Sequence, residues 1–239
     1  MNNRFAMVLG LALALTLSGC SKSPKGKSAS TANSGGNSNG AALTVSSAET
    51  ALTHIVQKIK SGDISQIESS FAASTPVEKK LVAAVAKMES LKTTVVQAAE
   101  KKLGGQSSEI GTLVAKIAPT SGLIPTTASE KSPLVIEGEH AIVKQGDNMA
   151  AVYLKQYTGN WKVDLQKTVN SLYPDAATAE SKLGTLTTVL GKATNFLQQV
   201  QTGLNNGSIK SLGDVEKLAG QFEVGSVPGV SNVKKMLHF

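Results

Sequence analysis

Apolar residues recur at helical spacing over most of the chain, interrupted by one block of strict alternation. Val45, Ala48, Leu52, Ile55, Val56 and Ile59 fall on one helix face, which Ser46 and Glu49 open as a capping box and Gly62 closes. Asp63 and Gln66 repeat the capping spacing for a short helix carrying Ile64, Ile67 and Phe71. Thr75, Pro76 and Glu78 supply cap, first-turn proline and capping-box acid for a long third helix. Its stripe runs Val77, Leu81, Val85, Met88, Leu91, Val95 and Ala99, and Gly104-Gly105 ends it. A shorter helical piece over 109–117 stops before Pro119.

The period then falls from helical to two. Residues 134–137, 140–145, 149–157 and 161–168 are β-prone runs separated by Gly138, Gly146-Asp147 and Gly159-Asn160, the pattern of an antiparallel meander. In the last run Trp161, Val163 and Leu165 point one way, and Lys162, Asp164 and Gln166 the other. Beyond Pro174 the helical period returns with Leu183, Leu186, Val189, Leu190, Ala193, Phe196, Leu197, Val200 and Leu204, ending at Asn206-Gly207. So one-sided a helix has to bury its stripe, on the domain itself, on a partner or on a membrane surface. For the last, only Lys182 and Lys192 supply charge. One more short helix is expected over 214–222, before an uninformative tail over 225–239. The pattern as a whole predicts an α+β fold, with amino-terminal helices packed on an antiparallel sheet and a carboxy-terminal amphipathic helical annex.

Residues 1–42 are expected to lie outside the packed domain. Arg4 precedes an apolar stretch from Ala6 to Leu17, and Leu17-Ser18-Gly19-Cys20 follows. Twelve residues are too few to cross a hydrocarbon core of about 30 Å as a helix, so a cleaved secretory signal is expected. The box resembles the bacterial lipoprotein type, which implies cleavage before Cys20, diacylation of its sulfur and acylation of the new amino terminus. Cys20 is the only cysteine, so no disulfide competes for it. In an envelope with two membranes, Ser21 resembles the outer-membrane sorting class, facing the periplasm. Residues 20–42 then read as the lipidated cysteine and a flexible Ser/Gly/Asn/Lys tether, of r.m.s. reach roughly 25 Å. The tether holds a literal match to a nucleophile-elbow pattern, Gly36-Asn37-Ser38-Asn39-Gly40, without the strand and helix that motif needs. The expected organisation is signal 1–19, anchor and tether 20–42, α+β domain 43–170 and annex 171–239.

Charge adds exclusions. Losing Arg4 leaves 23 of the 24 cationic residues against 17 acidic ones, about +6. Lys22, Lys25 and Lys27 sit beside the anchor, where each can add roughly 1 kcal/mol toward anionic headgroups. With aromatics at 4% and no concentrated basic face, nucleic acid is not expected as a partner. The mature chain also has no arginine, so bidentate clamps on phosphate or carboxylate are unavailable and lysine must act as a point charge.

Candidate chemistry is sparse. His54, His140 and His238 lack metal-ligand spacing, and no cofactor motif is present. His54 points away from the first helix's stripe, which reads as solvated. His140, near Glu137 and Glu139, reads as a hairpin-turn residue rather than a general base. Ser231-Asn232-Val233-Lys234 matches a serine–lysine spacing without its companion motifs.

The long helix, the Gly62-Asp63 break, the short helix with Ile67 and Phe71, and strands ending in Gly159-Asn160-Trp161-Lys162-Val163-Asp164 together resemble the nuclear transport factor two-like superfamily, a cystatin-like α+β cone. The likeness covers roughly residues 44–170. It implies a curved antiparallel sheet wrapped on helices around a concavity, in a superfamily that includes isomerases, dehydratases and hydrolases with an acid or base inside the cone. The candidate pocket residues are then Tyr153, Tyr157, Trp161, Val163 and Leu165. The face carrying Trp161 offers no carboxylate, because Asp164 has the opposite parity. Tyr153 and Tyr157 either donate hydrogen bonds into a pocket or form a packed cross-strand surface. No catalytic residue of the superfamily maps onto this chain. The function expected is a lipid-anchored, non-catalytic binding or accessory module for a small apolar ligand or an envelope protein. The alternatives are a structural assembly partner and a small-molecule isomerase or hydrolase.

Overall fold

The computed structural model describes residues 44–117, 120, 122–125, 133–144, 151–172 and 179–221. The signal, Cys20, the tether with its 36–40 run, His238, the 231–234 run and the tail lie outside the described residues. Helix α1 spans Val45–Lys60. Its cap is Thr44, whose hydroxyl accepts the Ser47 N–H at 3.1 Å, not the expected Ser46. Ser46 lies inside the first turn, where its carbonyl accepts the Thr50 hydroxyl. Ala48, Leu52, Ile55, Val56 and Ile59 are buried as the stripe predicts, while Val45 is 43% exposed. Gly62, at φ +72°, turns the chain, and Asp63 caps the short α2, Ile64–Ser69, by accepting the Gln66 N–H at 2.9 Å. Ile67 is buried and Ile64 exposed.

Phe71 is not part of that helix. With Ala72 it forms the two-residue strand β1, Phe71–Ala72. Helix α3, Pro76–Leu103, then starts on the predicted capping box, with Thr75 accepting the Glu78 N–H and Glu78 accepting the Thr75 N–H. A 3₁₀ turn at Gly104–Gln106 leads into α4, Ser107–Ile117. The buried carboxylate of Glu89 on α3 is met by Lys92 at 2.9 Å and by the hydroxyl of Thr120, which hold the chain after α4 against α3.

The meander follows as β2, Leu134–Glu137, β3, His140–Val143, β4, Val152–Tyr157, and β5, Asn160–Asp164. Strand order is β1-β5-β4-β3-β2. Neighbours are antiparallel except β1, which runs parallel to β5 with Phe71 opposite Val163, so the sheet is mixed rather than wholly antiparallel. Helices and most of the meander intervene between β1 and β5, and a long connection of this kind permits parallel pairing.

The run expected as a strand through Thr168 ends at Asp164, and α5, Leu165–Leu172, begins at once. Asp164 makes the change, its carboxylate accepting the Lys167 N–H at 2.9 Å as a helix cap does. Where β5 no longer runs beside β4, the Tyr153 N–H finds the hydroxyl of the buried Thr168 at 3.1 Å, which stands in for the missing strand partner. Helix α6, Ala179–Asn206, packs along α3. Helix α7, Leu212–Gly220, is capped by Ser211 and Asp214 and packs on α4 and α6. Leu183, Leu186, Leu190, Phe196, Leu197 and Leu204 of α6 share one continuous core with α1, α3 and the sheet. The carboxy-terminal helix thus buries its stripe on the domain itself.

Candidate functional site

Register sorts the sheet into two faces, because residues paired across strands point the same way. Leu134, Ala141, Val143, Val152, Leu154, Trp161 and Val163 share the side that packs on the helices, and all lie in the core. The other side carries Glu137, His140, Ile142, Tyr153, Lys155, Tyr157, Lys162 and Asp164. The five candidate pocket residues are thus divided. Trp161 is 8% exposed and donates its indole N–H to Ser47 on α1 at 3.4 Å, while Val163 is fully buried. Leu165 opens α5 inside the core instead of continuing the strand face. Tyr153 and Tyr157 lie on the opposite side of the sheet from all three.

That outer side gathers the chemistry. His140, the first residue of β3, places Nε2 3.3 Å from the Asp164 carboxylate, with both side chains about one-seventh exposed. Tyr153 meets the imidazole edge to face at 5.9 Å, and Lys167 Nζ lies 5.6 Å from the tyrosine ring centroid. Lys155 donates to Glu139 at 2.7 Å. That bond holds the Glu139 carboxyl below its ordinary range and the Lys155 ammonium above its own. Burial, with the nearby Asp164 charge, raises the Tyr157 phenol, so this hydroxyl stays a protonated donor at neutral pH. Asp164 acts in two ways at once, capping α5 through one oxygen and orienting His140 through the other.

Two open clefts lie along the β1–β5 edge of the sheet, where it meets the helices. One of about 500 Å³ lies where Tyr157 and Lys162 approach β1 and the start of α3, with Lys79 and Glu68 on its walls and Phe71 and Val82 below. The other, about 350 Å³, places His54, Lys58 and Trp161 beside Lys162. His54 is exposed, as its helical position predicts. The His140–Asp164 contact escapes the sequence pattern because 24 residues separate the two. The shared parity of Tyr153, Tyr157, Lys162 and Asp164 within their own strands was the signal available. Among the described residues no three His, Cys, Asp or Glu side chains gather as a metal site, and no helix is long and apolar enough to cross a membrane.

No family model matches the chain, and no curated protein or solved structure matches it significantly.

Proposed function

We propose that the chain is a cell-envelope lipoprotein, held to a membrane by lipid on Cys20, whose folded body is a non-catalytic binding or accessory module. The observation that carries the anchor is the Leu17-Ser18-Gly19-Cys20 box behind Arg4 and an apolar run, in a chain with no second cysteine. Two or more acyl chains make such an anchor stable where one alone is marginal. Ser21 directs it to the outer membrane where the envelope has two. The order of α1, the Gly62-Asp63 break, β1 and the meander supports a nuclear transport factor two-like arrangement in which helices fill the concavity. With Trp161, Val163 and Leu165 committed to the core, the ligand or partner is met on the polar outer side of the sheet or in the clefts along its β1–β5 edge.

Membrane fractionation of the wild type and Cys20→Ala tests the anchor. Wild type is expected in the membrane fraction with the added mass of its acyl chains, and the variant in neither state. Equal partition and equal mass would remove the lipoprotein reading. A second reading is favoured by the His140–Asp164 contact beside Tyr153, which is an oriented imidazole suited to acid–base chemistry. Turnover of an ester, epoxide or ketosteroid-like substrate, abolished by His140→Ala and by Tyr153→Phe, would replace the non-catalytic reading with that one.

A further inference from the structure

The larger cleft is rich in donors and poor in acceptors. Lys79 reaches it from the first turn of α3, Lys162 from β5 and Tyr157 from the end of β4. Among the described residues neither ammonium has a hydrogen-bonded or ion-paired partner, nor does the phenolic hydroxyl. Their neighbours are committed elsewhere: Lys155 to Glu139, and Asp164 to His140 and the Lys167 N–H. At the start of α3 the N–H groups of Ser74, Thr75 and Glu78 are taken, since Ser74 and Thr75 donate to Glu78 and Glu78 donates to Thr75. The formal positive charge on the walls is that of Lys79 and Lys162. Glu68 is the single carboxylate on its walls, against two lysines. Phe71 and Val82 also line the cleft, but both are buried in the core and expose little surface there. About 500 Å³ is the size of a small-molecule site rather than of a protein interface.

We infer that this cleft binds an oxyanion, phosphate or carboxylate, carried on a small organic group, with Lys79 and Lys162 on the charge and the Tyr157 hydroxyl as third donor. The inference rests on reading the folded body as a binding module and names the ligand class. Recognition is by point charges, because the chain has no arginine outside its signal to form a planar fork. Binding is accordingly expected to be sensitive to salt. The oxyanion has two sources with the same chemistry, a soluble metabolite and the headgroup of an anionic lipid, which the anchor would bring close.

The test uses the lipidated mature chain anchored in phosphatidylcholine vesicles and titrated calorimetrically with phenyl phosphate, benzoate and the uncharged benzyl alcohol. Both anions are expected to bind, the alcohol not. Affinity should fall about tenfold in Lys162→Ala and in Lys79→Ala, by severalfold in Tyr157→Phe, and not at all in Lys80→Ala, which lies outside the cleft. Lys162→Gln, which keeps the aliphatic stem, guards against a packing effect. Raising sodium chloride from about 50 to about 500 mM should weaken binding about tenfold. Replacing part of the phosphatidylcholine with phosphatidylglycerol separates the sources. Competition with phenyl phosphate identifies the lipid headgroup, and no competition identifies a soluble anion. Anions that bind no better than benzyl alcohol, or equally well without Lys79 and Lys162, overturn the inference, as does binding of an acidic peptide with no binding of either small anion. None of these failures alters the membrane partition of Cys20, which fractionation reads separately.

Discussion

Thr158 sits at φ +48° and Gly159 at φ +81°, the two central positions of the hairpin joining β4 to β5. Both positive angles match the tight turn that right-twisted strands favour, and glycine adopts its angle freely. A β-branched residue does not, and the left-handed region costs it roughly 1–2 kcal/mol. Its hydroxyl donates to the Tyr157 carbonyl at 2.7 Å, a local bond that asparagine is also able to make. Thr158→Asn is therefore expected to raise stability by about 0.5–1 kcal/mol, read as a higher denaturant midpoint with unchanged slope. An unchanged or lower midpoint would show that this backbone position carries no strain. Gly62 is the converse case. At φ +72° with Thr93 side-chain atoms 3.1 Å from where a Cβ would sit, it has both reasons to be glycine. That explains why the break between α1 and α2 was legible from the residue type alone.

At the scale of elements, the most extensive packing is that of α3 on α6. Phe196 is 2% exposed in the middle of α6 and is, among the described residues, the largest fully buried side chain. Phe196→Ala should cost about 3–5 kcal/mol, since a core closes only partly around the cavity such a truncation leaves. Urea unfolding with a loss under about 1 kcal/mol would mean that α6 lies loosely on the body. Element identity was mostly readable. The caps at Asp63 and Thr75, the start of β2 and the helical period of α6 all follow from residues within a few positions of one another. The misreading at 161–168 has a definite origin. Val163 and Leu165 continue an alternating pattern, while Leu165, Thr168, Val169 and Leu172 equally fit a helical one. The balance is tipped by the Asp164 carboxylate capping α5 and by Thr168 satisfying the Tyr153 N–H, and the second of these depends on a strand that is distant in sequence.

For the whole molecule, three carboxyls among the described residues are held below their ordinary range and contribute to the acid side of stability. Asp63 is lowered chiefly by the Gln66 N–H, Asp214 by the Lys210 N–H, and Glu139 by Lys155. A depressed carboxyl stabilises the fold above its unfolded value, 3.8 for aspartate, and the contribution is lost as pH falls through the lower folded value. Lys155 is raised, so its contribution is complete below 10.5 and disappears as pH rises through its folded value. All four groups are solvent-facing, which keeps each effect small. The melting temperature is expected to be lower at about pH 3 than at about pH 7, by a margin that shrinks in the Asp63→Asn/Asp214→Asn double variant. An equal drop in wild type and variant would assign acid unfolding to other groups.

What this sequence determined by itself was local. The helices with their caps, the strand runs with their glycine separators, and the stripes that have to be buried are consequences of residues a turn or a pleat apart. The tertiary structure decided which strand face meets the helices, where β5 stops, that β1 pairs with it in parallel, and that His140 comes to lie against Asp164. Each of these depends on register between segments far apart in the chain, and a one-residue slip would have sent every side chain of a strand to the other face. The candidate pocket divided for that reason. Parity within one strand is written in the sequence, but whether Trp161 and Tyr157 share a side is settled only when Gln156 lies opposite Trp161 and Tyr157 opposite Asn160.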